Sequence, residues 1–152
     1  MFRICLFMNN IQIIIQLVLA VVLGGLIGAE REYKKKEAGL QTYSLVTLGA
    51  CLFTILASNL FYQFENKAGL SFDPSRVVLA VATGIGFIGA GIIIYRRFRI
   101  EGLTTAAGLW TAAAIGVAIG ANLYFLALVA TILAVLVLFG LGKFEQKVFG
   151  KD

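Results

Sequence analysis

The sequence predicts an all-α integral membrane protein: a bundle of five transmembrane helices with its N-terminus outside and its C-terminus inside. Three observations carry that prediction. They are an apolar composition, four long stretches without charge, and a lopsided distribution of basic residues. Of the 152 residues, 60% are hydrophobic, a further 17 are glycine, and only 14% are charged. The mean hydropathy is +0.93. A soluble domain carries about 25% charged residues and at this size leaves about 30% of its surface in water. It could not hide so much apolar surface, so disorder, a disulfide scaffold and a soluble enzyme fit poorly.

Residues 4–29, 40–64, 77–95 and 102–142 carry no charge. A membrane-spanning helix needs about 20 apolar residues, so each of the first three stretches supplies one span. The fourth would make a helix of roughly 60 Å, about twice the hydrocarbon thickness. It should fold back at Gly120-Ala121-Asn122, since Gly and Asn favour turns. The expected helices are 11–29, 42–61, 77–95, 103–119 and 123–141, in one transmembrane domain (1–142) followed by a short cytoplasmic basic tail (143–152).

Orientation follows from the basic residues. With the N-terminus outside, the cytoplasmic side holds Arg31, Lys34, Lys35, Lys36, Arg96, Arg97, Arg99, Lys143, Lys147 and Lys151, leaving Arg3, Lys67 and Arg76 outside. Basic residues favour the cytoplasmic side. The net charge of +5 is therefore a topology signal that suits contact with anionic membrane lipid, and no nucleic-acid partner is expected. A cleaved signal peptide is not expected, because the first apolar run is long and follows a polar Asn9-Asn10 pair. Cys5 and Cys51 lie at different depths, too far apart to pair.

A short internal repeat runs through the chain. Val18-Leu19-Ala20-Val21 with Gly24 matches Val78-Leu79-Ala80-Val81 with Gly84, and Ile27-Gly28-Ala29 matches Ile88-Gly89-Ala90. Each segment leads into a basic loop, then into Gly39-Leu40-Gln41-Thr42 or Gly102-Leu103-Thr104-Thr105. Two parallel-repeat helical hairpins plus a fifth helix would produce this order.

Gly84-Ile85-Gly86-Phe87-Ile88-Gly89 fits the dinucleotide fingerprint, but that fingerprint needs a preceding strand in a βαβ unit. Mid-span, small residues serve close helix packing. Gly24, Gly28, Gly84, Gly86, Gly89 and Gly91 are the expected packing positions, and Trp110, too deep for an interfacial belt, is expected to pack with them. The Ala/Gly-rich fourth helix belongs at the centre, and the Leu/Val-rich fifth faces lipid.

Glu30-Arg31-Glu32 is expected to end the first helix. Glu30 and Arg31 follow a small-residue face, which would aim at least one of them into the bundle, where charges need partners. Thr42, Thr104 and Thr105 arrive at the same depth, as N-caps or as part of a ligand site. On the outer side, Asp73-Pro74-Ser75-Arg76 reads as a helix start with Asp as cap and Pro at N1, and Asp73 and Arg76 are site candidates. No histidine, metal-spaced cysteines or nucleophile–base arrangement stands in the sequence. No catalytic residue, metal ligand or cofactor is expected.

These residues resemble the MgtC/SapB family of bacterial membrane proteins. The likeness rests on Gly24–Gly28 running into Glu30-Arg31-Glu32, on Ala38-Gly39-Leu40-Gln41-Thr42, on Asp73-Pro74-Ser75-Arg76, on the 84–91 glycine run, and on Gly102-Leu103-Thr104-Thr105 with Leu109-Trp110. The resemblance implies a bacterial inner-membrane protein linked to growth in low magnesium, to virulence and to modulation of the F-type ATP synthase. This chain resembles a short form without the C-terminal ACT-like domain of virulence members. It also reads Gln41-Thr42-Tyr43 where the family more often has Arg-Thr-His. The expected role is regulatory and non-enzymatic, through helix–helix contact with a membrane-protein partner or with itself as a homodimer. The alternative is a small transporter or channel for a cation or small solute; a structural subunit is the third reading.

Overall fold

The computed structural model describes residues 10–64, 73–96 and 98–141. Arg3, Cys5, Lys67, Arg97 and the basic tail lie outside the described residues. Five helices are long and apolar enough to cross a membrane. They are α1 (Asn10–Tyr33), α2 (Leu40–Phe64), α3 (Pro74–Ile92), α4 (Leu103–Gly120) and α5 (Tyr124–Leu136), the last extended by a π-helical turn at Val137–Leu141. Between α3 and α4 stands a two-stranded antiparallel hairpin, β1 (Ile94–Arg96) and β2 (Arg99–Glu101).

The helix starts follow local chemistry. Asp73 caps α3 by accepting the Ser75 backbone N–H at 3.0 Å, with Pro74 in the first turn. The Glu32 carboxylate, reaching across from α1, accepts the Leu40 N–H at 3.2 Å where α2 begins, a favourable charge at a helix N-terminus. Gly102 adopts φ 87° directly before α4, a conformation that glycine takes at little cost. The α4–α5 break falls at the expected place, with Asn122 in the left-handed region at φ 64°.

Helix α4 occupies the centre, packing against α1, α2, α3 and α5. Its small residues make this possible. A Cβ on Gly116 would collide with the Thr47 carbonyl and stand 2.9 Å from the Ala50 methyl, and one on Gly120 would stand 2.7 Å from the Cys51 carbonyl. On α1 the buried residues Gln16, Ala20, Leu23, Gly24, Ile27, Gly28 and Arg31 form one helical stripe. A Cβ at Gly28 would meet Leu40 Cα at 2.7 Å. Helix α5 leaves most of its surface outside the bundle, as expected for a lipid-facing span.

The internal repeat has a structural counterpart. Leu40 and Leu103 each open a helix. Tyr43 and Ala106, each three residues further on, are the neighbours of Gly28 and Gly89: a Cβ at those glycines would stand 2.9 Å and 3.4 Å from theirs. The same pair of positions therefore forms the helix contact in both hairpins.

Four expectations require correction. First, α1 does not end before Glu30 but continues through Tyr33, so Glu30 and Arg31 project from helical positions. Second, α3 stops at Ile92, and the segment expected to continue it to residue 95 turns into the hairpin. Third, Gly84, Gly86 and Gly91 meet nothing within 4 Å. Helix α3 instead turns Val81, Ile85 and Ile92 toward the core, together with the expected Gly89, which lies against Ala106 of α4. Fourth, Trp110 is 54% exposed and projects away from the packed side of α4.

Gly116→Ala should therefore destabilise the bundle by about 1–3 kcal/mol through overpacking. Gly84→Ala should be neutral or stabilise by up to about 1 kcal/mol through helix propensity. Unfolding titrations of the purified variants in mixed micelles check both.

Candidate functional site

Two polar layers close the ends of an apolar core. At the C-terminal end of α1, the chain gathers Glu30, Arg31 and Lys34 from α1, Tyr43 from α2, Thr105 from α4, and Glu37 from the intervening loop. Arg31 is 4% exposed. Its Nη2 donates to the Thr105 hydroxyl at 2.8 Å, which in turn donates to Glu37 Oε2 at 2.7 Å. The Tyr43 hydroxyl donates to the Thr105 backbone carbonyl at 3.1 Å. It reaches that carbonyl because Gly108 lacks a side chain, and a Cβ there would strike the phenol oxygen.

Glu30 lies between two cations, with Arg31 Nη1 at 3.7 Å and Lys34 Nζ at 2.6 Å. Lys34 also donates to the Leu138 carbonyl at 2.9 Å, within the π-helical turn of α5, and lies 5.7 Å from the Phe139 ring centroid. The cluster thus ties α1, α2, α4, α5 and the 34–39 loop together. A charged pair withdrawn from water is tolerated only where such partners exist. Arg31 Nε remains without a hydrogen-bond partner inside it. Glu37's own backbone N–H and the Thr105 hydroxyl hold its carboxyl below the usual carboxylate range, aided by Lys36 and Arg31 against a smaller opposing effect of burial.

The opposite layer is uncharged. Gln16, fully buried, donates through Nε2 to the Ile119 carbonyl at 2.8 Å. Asn122 Oδ1 accepts from Gln12 at 2.7 Å, from Gln16 at 3.2 Å and from Tyr124 at 2.9 Å. Between the layers, Ala20, Leu23, Ile27, Leu109, Ala112, Ile115 and Ile119 are all buried. Thr47 lies in this zone, but its hydroxyl bonds back to the Tyr43 carbonyl of its own helix.

Of the residues singled out from sequence, the structure unites Glu30, Arg31 and Thr105. Thr104 is exposed and stands outside the cluster. Thr42 instead lines the near end of an apolar cleft of about 840 Å³ between α2 and α3, with Arg76 at the far end. Asp73 and Arg76 approach each other at 4.0 Å, both exposed. The Asp73 carboxyl is held below its ordinary value by the Ser75 hydroxyl and N–H. That pair is a helix start rather than part of the buried network. Among the described residues, no three His, Cys, Asp or Glu side chains stand together to hold a metal.

Sequence reasoning missed Gln16, Glu37, Tyr43 and Asn122 as network members. Gln16 had a usable signal, being one of two amides, with Gln12, within an uncharged, isoleucine-rich span, where polar groups are costly. Tyr43 had none beyond its place in the Gln41-Thr42-Tyr43 phrase.

The sequence model of the MgtC family matches residues 17–147. The chain belongs to the MgtC family. It is 43% identical over 127 residues to YhiD of Escherichia coli K12, covering 84% of this chain and 59% of that protein. It is 45% identical over 118 residues to protein MgtC of Brucella abortus (78% and 46%). It is 40% identical over 114 residues to protein SapB of Bacillus subtilis (74% and 49%). The chain spans about half the length of the curated relatives it matches. No solved structure matches it. Membership and the five apolar helices together make this a multi-pass membrane protein of the MgtC family.

The geometry separates the three threonines. Thr105→Val should cost about 1.5–3 kcal/mol, the range for a hydrogen bond to a charged group. Thr104→Val and Thr42→Val should stay within about 0.5 kcal/mol. Because Glu37's folded pKa is depressed, its contribution is complete above the ordinary glutamate value of about 4.3 and is lost as pH falls through the lower folded value. Carbon-13 NMR of the Glu37 carboxyl should report that low midpoint, and Thr105→Val should return it toward the ordinary one.

Proposed function

We propose that this MgtC-family chain is a non-enzymatic regulatory protein of the bacterial inner membrane, oriented with its N-terminus outside. It acts by lending the α2/α3 cleft to a transmembrane helix of another membrane protein. The observation that carries the reading is the cleft itself. Helices α2 and α3 barely touch, and the space between them is lined by apolar residues such as Leu45, Phe53, Val77 and Ile88. Gly49 and Gly84 line it too, and neither has any atom within 4 Å of where a Cβ would stand. In lipid, helices associate through packing against small residues. Two open glycines facing one groove suit a helix backbone better than a disordered acyl chain.

The sealed core supports regulation over conduction. Among the described residues, the polar layers at the two ends are separated by buried Leu, Ile and Ala side chains, and the Thr47 hydroxyl between them is turned to its own helix. The ATP synthase is a partner only by resemblance to the family's virulence member. Transport is the second reading, favoured by the buried Glu30–Arg31 charges and the half-buried Lys34 at one end. YhiD of E. coli K12 is provisionally named a magnesium transporter, and that name would extend to this chain only on this reading.

Reconstitution of the purified chain alone in liposomes tests the choice. Mg²⁺, K⁺ and proton fluxes should equal those of protein-free liposomes. Flux well above that background would overturn the regulatory reading in favour of transport.

A further inference from the structure

The hairpin between α3 and α4 takes no part in either polar layer, and its exposed side chains are unusual for a short connection. Its register sets Ile94 opposite Glu101, Tyr95 opposite Ile100 and Arg96 opposite Arg99. Opposed residues share a face, so Tyr95 and Ile100 form an apolar face, and Arg99 stands on the other. Tyr95 is 69% exposed, Ile100 58%, and Phe98, at the tip, 92%.

The turn of this ribbon carries a conformational cost. Phe98 adopts φ 64°, where a tight hairpin turn favours Gly, Asn or Asp and a bulky residue is an outlier. Burying the aromatic tip out of water would offset that cost.

We propose that this hairpin is an anchor in the headgroup layer of the membrane the protein already spans. Its occupant is anionic phospholipid: Phe98, Tyr95 and Ile100 enter the boundary between headgroups and acyl chains, and Arg99 meets lipid phosphates. The tether decides between lipid and a soluble partner. Helix α3 ends at Ile92 and α4 begins at Leu103, so one residue separates each strand from a membrane span. Strands this short reach about 10 Å, comparable to the depth of the interfacial zone. Aromatic and basic residues are the side chains that this zone holds best. By the positive-inside pattern, this is the cytoplasmic leaflet. The assignment is independent of what occupies the α2/α3 cleft.

The test uses the full chain in vesicles, with Phe98→Trp as a fluorescent reporter in a Trp110→Phe background. Lipids brominated near the top of the acyl chain should quench the reporter. Quenching should be stronger in phosphatidylglycerol than in phosphatidylcholine vesicles, and acrylamide in the water should reach the indole poorly. Arg99→Gln should remove the excess quenching in phosphatidylglycerol while leaving the folded state intact, since Arg99 is exposed. Equal bromolipid quenching in both lipids would overturn the role of anionic headgroups. Strong acrylamide quenching with little bromolipid quenching would overturn the anchor altogether and leave the hairpin in water, free for a protein partner.

Discussion

The fold depends on how closely α4 approaches α2. In lipid there is no hydrophobic drive between apolar helices, so association rests on packing and on hydrogen bonds that close approach permits. Gly116 seats the Thr47 carbonyl, Gly120 lies against Cys51 and Thr54, and Gly108 leaves room for the Tyr43 phenol. Replacing any of these glycines by a larger residue would push the two helices apart. With that distance set, the Tyr43 hydroxyl reaches the Thr105 carbonyl. Thr105 is then placed where Arg31 and Glu37 both bond its hydroxyl. The buried charges are a consequence of the packing, and the packing is a consequence of the glycines.

The two hairpins use the shared motif differently. In the first, Gly24 and Gly28 receive α2, and the basic loop folds back onto Thr105 through Glu37. In the second, Gly89 alone makes the equivalent contact, while Gly84 and Gly91 stay open. The second hairpin is therefore the looser one, and its outer flank borders the cleft. One hairpin holds the core, and the other presents surface to the membrane.

Much of this was legible in the sequence. Uncharged stretches and their length located all five spans, because a membrane admits few other solutions for such segments. The Gly120–Asn122 break and the Asp73 cap followed from local backbone chemistry. The hairpin at 94–101 was not legible, since its residues continue the apolar run of α3 through Tyr95 and lack the usual turn residues. The unused glycine face was illegible for a different reason. A small-residue stripe states that close contact is allowed, and neighbouring stripes one residue apart are equally allowed, so the face of Ile85 could not be preferred over that of Gly84 and Gly86, although Gly89 was among the expected positions. Among the site residues, Arg31 and Thr105 were found because each follows its own motif. Thr42 and Thr104 share those motifs but sit at other angles on their helices. Glu37 was hidden in a basic loop that reads as a solvated turn.

The central claim is that the α2/α3 cleft receives a helix of another membrane protein, and photocrosslinking in native membranes tests it most directly. A photoreactive residue in place of Gly84 should give one discrete protein adduct that disappears when Gly49→Leu fills the cleft. The same residue in place of Phe125, exposed on α5, should give only lipid adducts. Lipid adducts alone at both positions, or an adduct at twice the mass of the chain, would contradict the claim.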